Sequence, residues 1–454
     1  MNFTTVIMAA GKGTRMKSEL PKVLFKACGK PMINWVIDAC ATDIKPVVIV
    51  GHKKELVIAE IEGRADYAVQ LEQKGTGHAV SMAMDHLKAN INGYTVILAG
   101  DMPLITKDTI DKMKVMAMGG NDGIVLTAKV DNPFGYGRII HDENGRFVEI
   151  VEENDATDEQ KKVNEINSSV YCIRTDLLID CLGKLGCNNA AGEYYLTDVI
   201  KMLSGDYKIV TLCTSFEECL GVNSKVQLAV AEEILRKRIN NRHMENGVII
   251  IDPSTAYIED SVKIEADAVI YPNNIIEGNT VIEKDAVILQ GNRIADSFVG
   301  QGATVQSSVL TEAQVGANTT VGPFAYLRPK SRIGENCRIG DFVEVKNSSI
   351  EDGTKVSHLT YVGDSDVGKG VNIGCGVVFV NYDGINKHRS IVEDNCFIGC
   401  NTNLISPVRL GHGAYVAAGT TVTEDVQSGA LCIGRSRQTV KTNWNNKWKE
   451  EKDK

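Results

Sequence analysis

The sequence predicts two domains of different class: an α/β domain on a mostly parallel, Rossmann-like sheet, followed by a parallel β-helix. Three observations carry this reading. Up to about residue 220, short apolar runs alternate with helically spaced segments. From about Asp252, an aliphatic residue recurs every six positions. Between the two lies one long amphipathic stretch. The implied boundaries are 1–226 for the α/β domain, 227–247 for a linker helix and 248–454 for the repeat domain with its tail.

In the first half, Thr5–Ala10, Val47–Val50, Thr95–Ala99 and Ile124–Ala128 have the length and composition of buried strands. Met32–Ala41 and Ala79–Leu87 have helical spacing. Strands alternating with helices build a mostly parallel sheet covered on both faces. Ligands of such sheets bind beyond the carboxyl ends of the strands. The loops to inspect therefore follow Ala10, Val50 and Ala99. The linker is marked by Leu228, Ala231, Leu235 and Ile239, with charged residues from Glu232 to Arg238 between them. That is a helix of about 18 residues, ending near Gly247.

The second half has the period of a solenoid. Ile258, Ile264, Ile270, Ile276, Ile282, Ile288 and Ile294 are six apart. So are Val315, Val321, Leu327, Ile333, Ile339 and Val345, and again Ile398, Leu404, Leu410, Val416 and Val422. Six residues make one wall and a corner, and three walls make a coil. Roughly 180 residues at about 18 per coil give about ten coils, a rod near 48 Å long at about 4.8 Å per coil. The register slips between Ile294 and Val299, Val305 and Val315, and Val345 and Val367, where insertions are expected to form loops. The polar stretch from Asn381 to Arg389, between walls containing Phe379 and Ile391, is the best loop candidate.

Bulk properties exclude several classes. No run approaches the roughly 20 apolar residues of a membrane span, and Met1–Ala10 lacks the basic start of a signal peptide. Net charge is -9, which argues against a nucleic-acid or anionic-membrane surface. Twelve cysteines form no C-x-x-C pair and have no histidines at zinc spacing. They read as reduced thiols of a cytoplasmic protein.

The first loop is Met8-Ala-Ala-Gly-Lys-Gly-Thr-Arg-Met16. Strand, Gly-rich turn and then helix would form an anion cradle, with Gly11 and Gly13 admitting phosphates and the helix dipole adding attraction. Met16 stands where a dinucleotide fingerprint needs Gly, and the Walker pattern is absent. A plain turn is the alternative, but the cations Arg15 and Lys22 follow closely. Asp101 follows the Thr95–Ala99 run, where a carboxylate can hold Mg²⁺ against nucleotide phosphates. Its alternative is a helix N-cap, a place that Thr106 fills better.

Gly11-x-Gly13-Thr14-Arg15-x5-Pro21-Lys22 resembles the signature of the sugar-nucleotide pyrophosphorylases, and the second half resembles the hexapeptide acyltransferases. With Gly75-Thr-Gly-His-Ala79, Gly192-Glu-Tyr-Tyr-Leu-Thr-Asp198 and Asn381-Tyr-Asp-Gly384, nearly the whole chain is similar to bacterial bifunctional N-acetylglucosamine-1-phosphate uridylyltransferase/glucosamine-1-phosphate N-acetyltransferases. The resemblance implies a nucleotidyltransferase domain followed by a left-handed parallel β-helix, assembled as a homotrimer that makes UDP-N-acetylglucosamine for the cell envelope. It implies UTP, acetyl-CoA, glucosamine-1-phosphate and N-acetylglucosamine-1-phosphate as substrates, and Mg²⁺ as cofactor. Met8, Ala9, Ala10, Gly11, Gln70, Gly75 and Thr76 would hold the uridine nucleotide. Gly137, Glu152 and Asn167 would hold N-acetylglucosamine, and Arg15 and Lys22 would neutralise the triphosphate. Asn223 would join Asp101 on the metal, although capping the linker helix is an alternative or additional role.

Acetyl transfer needs a base, an oxyanion donor and cations for phosphate. His358, in Val356-Ser-His-Leu-Thr-Tyr361, matches the family's base motif, although a single histidine among eight is more often structural. Glu344 would orient it; otherwise Glu344 is a solvated wall residue. Arg328 and Lys346 are one 18-residue period apart and would stack to clamp one phosphate. Tyr361 and Asn372 complete that subsite by resemblance. Cys375, Asn381, Tyr382, Cys400, Ala418 and Arg435 would touch acetyl-CoA. Cys375 stands where the family has a small Ala, and Cys400 where it has Ser, which a thiol replaces only in part. One rod would supply His358 and the clamp, and a neighbouring rod Ala418 and Arg435. The competing reading is a nucleotidyltransferase whose rod serves only assembly; it does not require Arg328, Lys346, His358 or the 381–389 loop. The two tryptophans of the tail, Trp444 and Trp448, are candidates to dock on a neighbouring chain.

Overall fold

The computed structural model describes residues 2–40, 44–187, 192–442 and 444. Trp448, and with it the two-tryptophan docking of the tail, lies outside the described residues. The chain forms two compact units, Met1–Arg236 and Lys237–Lys454.

The N-terminal unit is built on a nine-stranded sheet. Its strands are β1 (Phe3–Met8), β2 (Val47–Val50), β3 (Asp66–Val69), β4 (Tyr94–Ala99), β5 (Gly123–Lys129), β6 (Arg138–His141), β7 (Phe147–Val151), β8 (Glu165–Arg174) and β9 (Ile209–Thr214). The order is β9-β5-β8-β4-β1-β2-β3, with the β6–β7 hairpin attached to β8. Successive residues go to opposite faces, so both faces are apolar. Ile7, Val48 and Leu98 join one buried cluster, with Ile33 and Ile37 packed on it. Val6, Ile49 and Ile97 join the other, with Val80, Leu178 and Ile200.

The four expected strands are present and pair in parallel where they meet, β1 with β2 and with β4. Five strands were not read from the sequence, β3, β6, β7, β8 and β9, and of these β8 runs antiparallel between β4 and β5. The expected Ala79–Leu87 helix is two shorter ones, Thr76–Ser81 and Met84–Ala89. The helix expected after Gly13 is a single 3-10 turn, Thr14–Met16, bracketed by the left-handed residues Gly13 and Lys17. A turn of that length has no useful macrodipole, so any anion there relies on backbone amides and side-chain cations instead.

The second unit is a parallel β-helix of three sheets with 11, 10 and 9 strands. Each wall lies on the wall one coil earlier: Ile258 on Ile276, Ile264 on Ile282, Ile270 on Ile288. Those aliphatic residues are buried. The expected insertions at the three register slips are corrected: they are shortenings. Ile282 pairs with Val299, Val299 with Val315, and Val345 with Val362, so these coils lose one or two residues. Tight left-handed corners absorb the loss, at Asp296, Ser307, Glu312, Asn347 and Asp364, with φ of 42° to 48°. The 381–389 segment is a true insertion: Phe379 pairs with Leu404, 25 residues on. At its far end Val392, not Ile391, turns into the core.

The linker helix spans Lys225–Glu245. Within the second unit, Asn240 Nδ2 donates to the carbonyls of Pro253 and Ala256 at 2.8 and 3.0 Å, docking the helix end on the first coil. His243 is buried beside it, and burial together with the charge of Arg242 pulls its imidazole down to about 4. Its value in the unfolded chain is about 6.5. Between those values the unfolded chain binds a proton that the native one does not, so stability is full above the window and falls as pH drops through it. The expected loss is about 3 kcal/mol. Denaturant midpoints of the wild type should fall from pH 7 to pH 4 more steeply than those of His243→Gln; parallel curves would exclude this origin.

Candidate functional site

Parallel pairing brings the ends of β1 and β4 to one edge, and a cleft of about 520 Å³ opens there. Met8, Ala9, Ala10 and Gly11 form one side, and Gln70, Gly75 and Thr76 another. Arg15, Lys22, Asp101, Asn167 and Asn223 also line it. Asn167 comes from β8, just before a bulge that separates its pairing with Thr127 from that of Tyr171 with Val125. A second cleft of about 320 Å³ shares Met8 and Thr76 with the first and contains Glu152. Gly137 lines neither cleft but packs behind them: a Cβ there would lie 3.5 Å from Glu152 Oε2, and its carbonyl accepts from Asn167 N at 2.8 Å.

Two segments distant in sequence close the first cleft. Gly77 N donates to Tyr194 O and Tyr194 N to Lys74 O, at 2.8 and 2.9 Å. Leu196 N donates to Thr76 Oγ1 at 3.0 Å. Gly75 has φ 109° and a Cβ would come within 2.5 Å of Tyr194 O, so only glycine fits. Gly11 is different: nothing lies within 4 Å of the Cβ position, so its backbone faces open space. Burial raises the Glu152 carboxyl above the usual range, partly offset by a 3.3 Å hydrogen bond from Thr197 Oγ1.

The charged groups at the cleft converge on one point. Lys22 Nζ is ion-paired with Asp101 Oδ2 and donates to Asn223 Oδ1 at 2.8 Å. Arg15 Nη2 donates to the same Asn223 oxygen, also at 2.8 Å. Two oxygen donors thus already face a common cation. Asn223 is not the helix cap: Ser224 Oγ accepts from Gln227 N at 3.2 Å, and Gln227 Oε1 accepts from Asn223 N at 2.8 Å. That leaves the Asn223 side chain for the cleft. Among the described residues, no three His, Cys, Asp or Glu side chains gather as a metal cluster.

In the rod, polar residues collect at two corners of one wall. At the first corner, His358 lies on Asp341 of the coil before. Cys375, Cys400 and Ala418 continue the same column: Asn401 N donates to Cys375 O and Gly419 N to Cys400 O, both at 2.8 Å. Cys400 and Ala418 are exposed, and Arg435 Cδ approaches within 3.9 Å of where a Cβ on Gly419 would stand. Asn372 lies on the wall leading to this corner.

At the second corner, Arg328 and Lys346 are stacked as expected, with Leu327 on Val345 just before them. Lys346 Nζ lies 3.7 Å from Asp364 Oδ2. Asn381 Nδ2 donates to the same carboxylate at 2.5 Å and reaches Tyr361 OH at 3.4 Å. Tyr382 is exposed, its OH donating to Gly384 O. The ammonium of Lys387 faces that of Lys346, and this like charge pulls Lys387 below the usual lysine range.

One expectation is corrected here. Glu344 does not reach His358. It lies on the next wall, where its Oε1 accepts from Arg328 Nη1 at 2.8 Å, while Asp341 Oδ1 meets His358 Nδ1 at 2.6 Å. His358 and the Arg328/Lys346 pair stand at opposite ends of one wall: Gly363, level with Lys346, closes the extended Thr360–Gly363 segment, about 13 Å along the backbone from the His358 corner. Asp341, Asp364 and Lys387 escaped sequence reading. A coil of 17 residues would have found Asp341, since it precedes His358 by that step.

A cleft with paired oxygen donors at the carboxyl edge of an α/β sheet, joined in one chain to a six-residue-repeat rod, defines a nucleotidyltransferase-type unit coupled to a hexapeptide transferase. The MobA-like NTP transferase domain matches residues 5–157, and the bacterial transferase hexapeptide family matches 312–347 and 389–424. "Bifunctional protein GlmU" of Clostridium novyi (strain NT) is 52% identical over 98% of each chain. That of Clostridioides difficile (strain 630) is 49% identical over 100% of this chain and 99% of its own. That of Clostridium acetobutylicum is 50% identical over 97% of both. The chain belongs to the GlmU family of bifunctional proteins.

Asp364 is the hub of the second corner. Burial pushes its carboxyl up, but hydrogen bonds from Asn347 and Asn381 and the charge of Lys346 outweigh burial and hold it below the usual range. Its stabilisation is present above pH 4 and lost as pH falls through the lowered native value. Asp364→Ala should cost about 1–3 kcal/mol at pH 7 by stranding its buried donors. Denaturation at pH 7 and pH 3 checks this: the gap to wild type should narrow in acid.

Proposed function

We propose that the N-terminal unit transfers uridylyl from UTP to N-acetylglucosamine-1-phosphate, and that the rod first makes that acceptor by acetylating glucosamine-1-phosphate from acetyl-CoA. Membership of a bifunctional family over the full length is the observation that carries this reading.

In the first reaction, Met8, Ala9, Ala10, Gly11, Gln70, Gly75 and Thr76 hold the nucleotide. Gly137, Glu152 and Asn167 hold the acetylated sugar. Asp101 and Asn223 suit Mg²⁺: they offer hard oxygen donors that already share one cation, and Mg²⁺ needs few protein ligands beside phosphates. When bound there it supplies charge that offsets the phosphates. Arg15 and Lys22 bring cations to the triphosphate as a sugar-phosphate oxygen displaces pyrophosphate from the α-phosphorus; positioning and charge do most of the work.

In the second reaction, His358 takes the proton of the amine as its nitrogen attacks the thioester carbonyl. The C–S bond breaks, and the proton passes to the departing thiolate of CoA. Arg328 and Lys346, helped by Lys387, hold the sugar phosphate, with Tyr361 and Asn372 around the sugar. Cys375, Asn381, Tyr382, Cys400, Ala418 and Arg435 line the acetyl-CoA groove. Glu344 holds the guanidinium of Arg328 in place.

The separation of His358 from the cationic corner favours a homotrimer in which one chain lends His358 and its column and a neighbour lends Arg328, Lys346 and Tyr361. This reverses the sharing expected from sequence. Exposed apolar corners support it: Phe324, Phe342 and Leu359 are 57–60% exposed at left-handed positions, an arrangement that asks for cover. The free thiols fit a reducing compartment, and we place the enzyme in the cytoplasm. Among the described residues no helix is long and apolar enough to cross a membrane.

A coupled assay of UDP-N-acetylglucosamine from glucosamine-1-phosphate, acetyl-CoA, UTP and Mg²⁺, omitting each in turn, tests the whole reading. Asp101→Ala should slow uridylyl transfer about 10²–10³-fold and leave acetyl transfer unchanged. His358→Ala should slow acetyl transfer roughly 10²–10⁴-fold and spare uridylyl transfer. Mixed trimers of His358→Ala and Lys346→Ala chains should regain acetyl transfer, because some interfaces then hold both intact residues. No recovery in mixed trimers verified by native mass spectrometry would put both residues in one chain's site.

A further inference from the structure

His358 has a carboxylate on its other ring nitrogen. Its Nδ1 lies 2.6 Å from Asp341 Oδ1. The two residues are direct partners on consecutive coils, and Leu359 N donates to Asp341 O at 2.9 Å. Each is followed at once by a left-handed corner residue, Phe342 and Leu359, so both side chains leave equivalent points of the rod. The backbone of His358 is held as well: its carbonyl accepts from the buried Thr360 Oγ1 at 2.7 Å. The hydrogen bond from His358 holds the Asp341 carboxyl below the usual carboxylate range. An ionised carboxylate only accepts, so Nδ1 must carry the ring proton. In the neutral ring Nε2 then has the lone pair, the state a base requires.

We propose that Asp341 is the positioning residue of the acetyl site: its carboxylate fixes the tautomer and the direction of His358 so that Nε2 meets the amine. This rests on the reading of His358 as the base. Asp341 touches no substrate in this scheme and acts through His358 alone. Glu344 cannot take the role, because it is committed to Arg328 on another wall. The pair is half-exposed, with side chains 53% and 36% accessible. Water therefore competes, and the effect is smaller than the roughly 10⁴-fold seen when a buried triad loses its aspartate.

The test uses the full-length protein. Asp341→Ala should lower the kcat of acetyl transfer about 10- to 100-fold, with KM for both substrates within about twofold, because only the transition state needs the aligned base. Uridylyl transfer should not change. In wild-type protein labelled with ¹⁵N-histidine, the His358 signals, assigned by their loss in His358→Ala, should show Nδ1 protonated and Nε2 unprotonated. This second measurement stands whether or not the variant folds. Wild-type kcat in Asp341→Ala beside an inactive His358→Ala would overturn the positioning role and leave the base intact. So would a wild-type ring protonated at Nε2. Full acetyl transfer in His358→Ala would instead remove the base itself, and this inference with it.

Discussion

Parallel pairing of strands is the constraint on which both units depend. Parallel strands all end on the same side, so whatever follows them is gathered without further design. In the first unit this sets Ala10, Gly11 and Asp101 on one edge, because β1 and β4 run side by side in full register. In the rod it sets equivalent positions of successive coils directly above one another. Chemistry then needs only suitable residues at one corner, repeated at coil intervals. Asp341, His358, Cys375, Cys400 and Ala418 are such a column. The walls themselves carry no chemistry inward: their central aliphatic residues fill the core.

Charge organises the first cleft. Asp101 and Asn223 come from segments far apart in sequence, yet both oxygens meet the ammonium of Lys22. Without a cation the carboxylate would be left with little solvent in a narrow site, since its side chain is only 16% accessible. The lysine removes that penalty in the free protein. It also keeps the two oxygens aimed at one point, so the donors are arranged before any ion arrives.

Much of this was legible in the sequence, and the failures have physical causes. A six-residue period has no competing explanation, so the rod and its inward aliphatic residues could be read directly. Coil length could not, because a corner can drop a residue when Asp, Asn, Ser or Glu adopts a left-handed backbone. An assumed step of 18 correctly stacked Lys346 on Arg328, and hid the step of 17 that stacks His358 on Asp341. The antiparallel β8 was missed because strand direction leaves no periodic signature. The cap role weighed for Asn223 falls to Ser224 for a local reason: Ser224 immediately precedes the helix, and its hydroxyl accepts from Gln227 N.

The 25-residue coil shows what such an architecture permits. Phe379 still lies on Leu404, Ile373 on Ile398 and Val367 on Val392, as if nothing had been added. A wall senses only its two neighbours, so extra chain at one corner is invisible to the rest of the column. Each corner is therefore a separate slot in which a lineage can lengthen, shorten or rewrite a segment without renegotiating the scaffold. New substrate preferences can evolve by trading loops between slots, while the core sequence that makes the rod drifts on its own schedule.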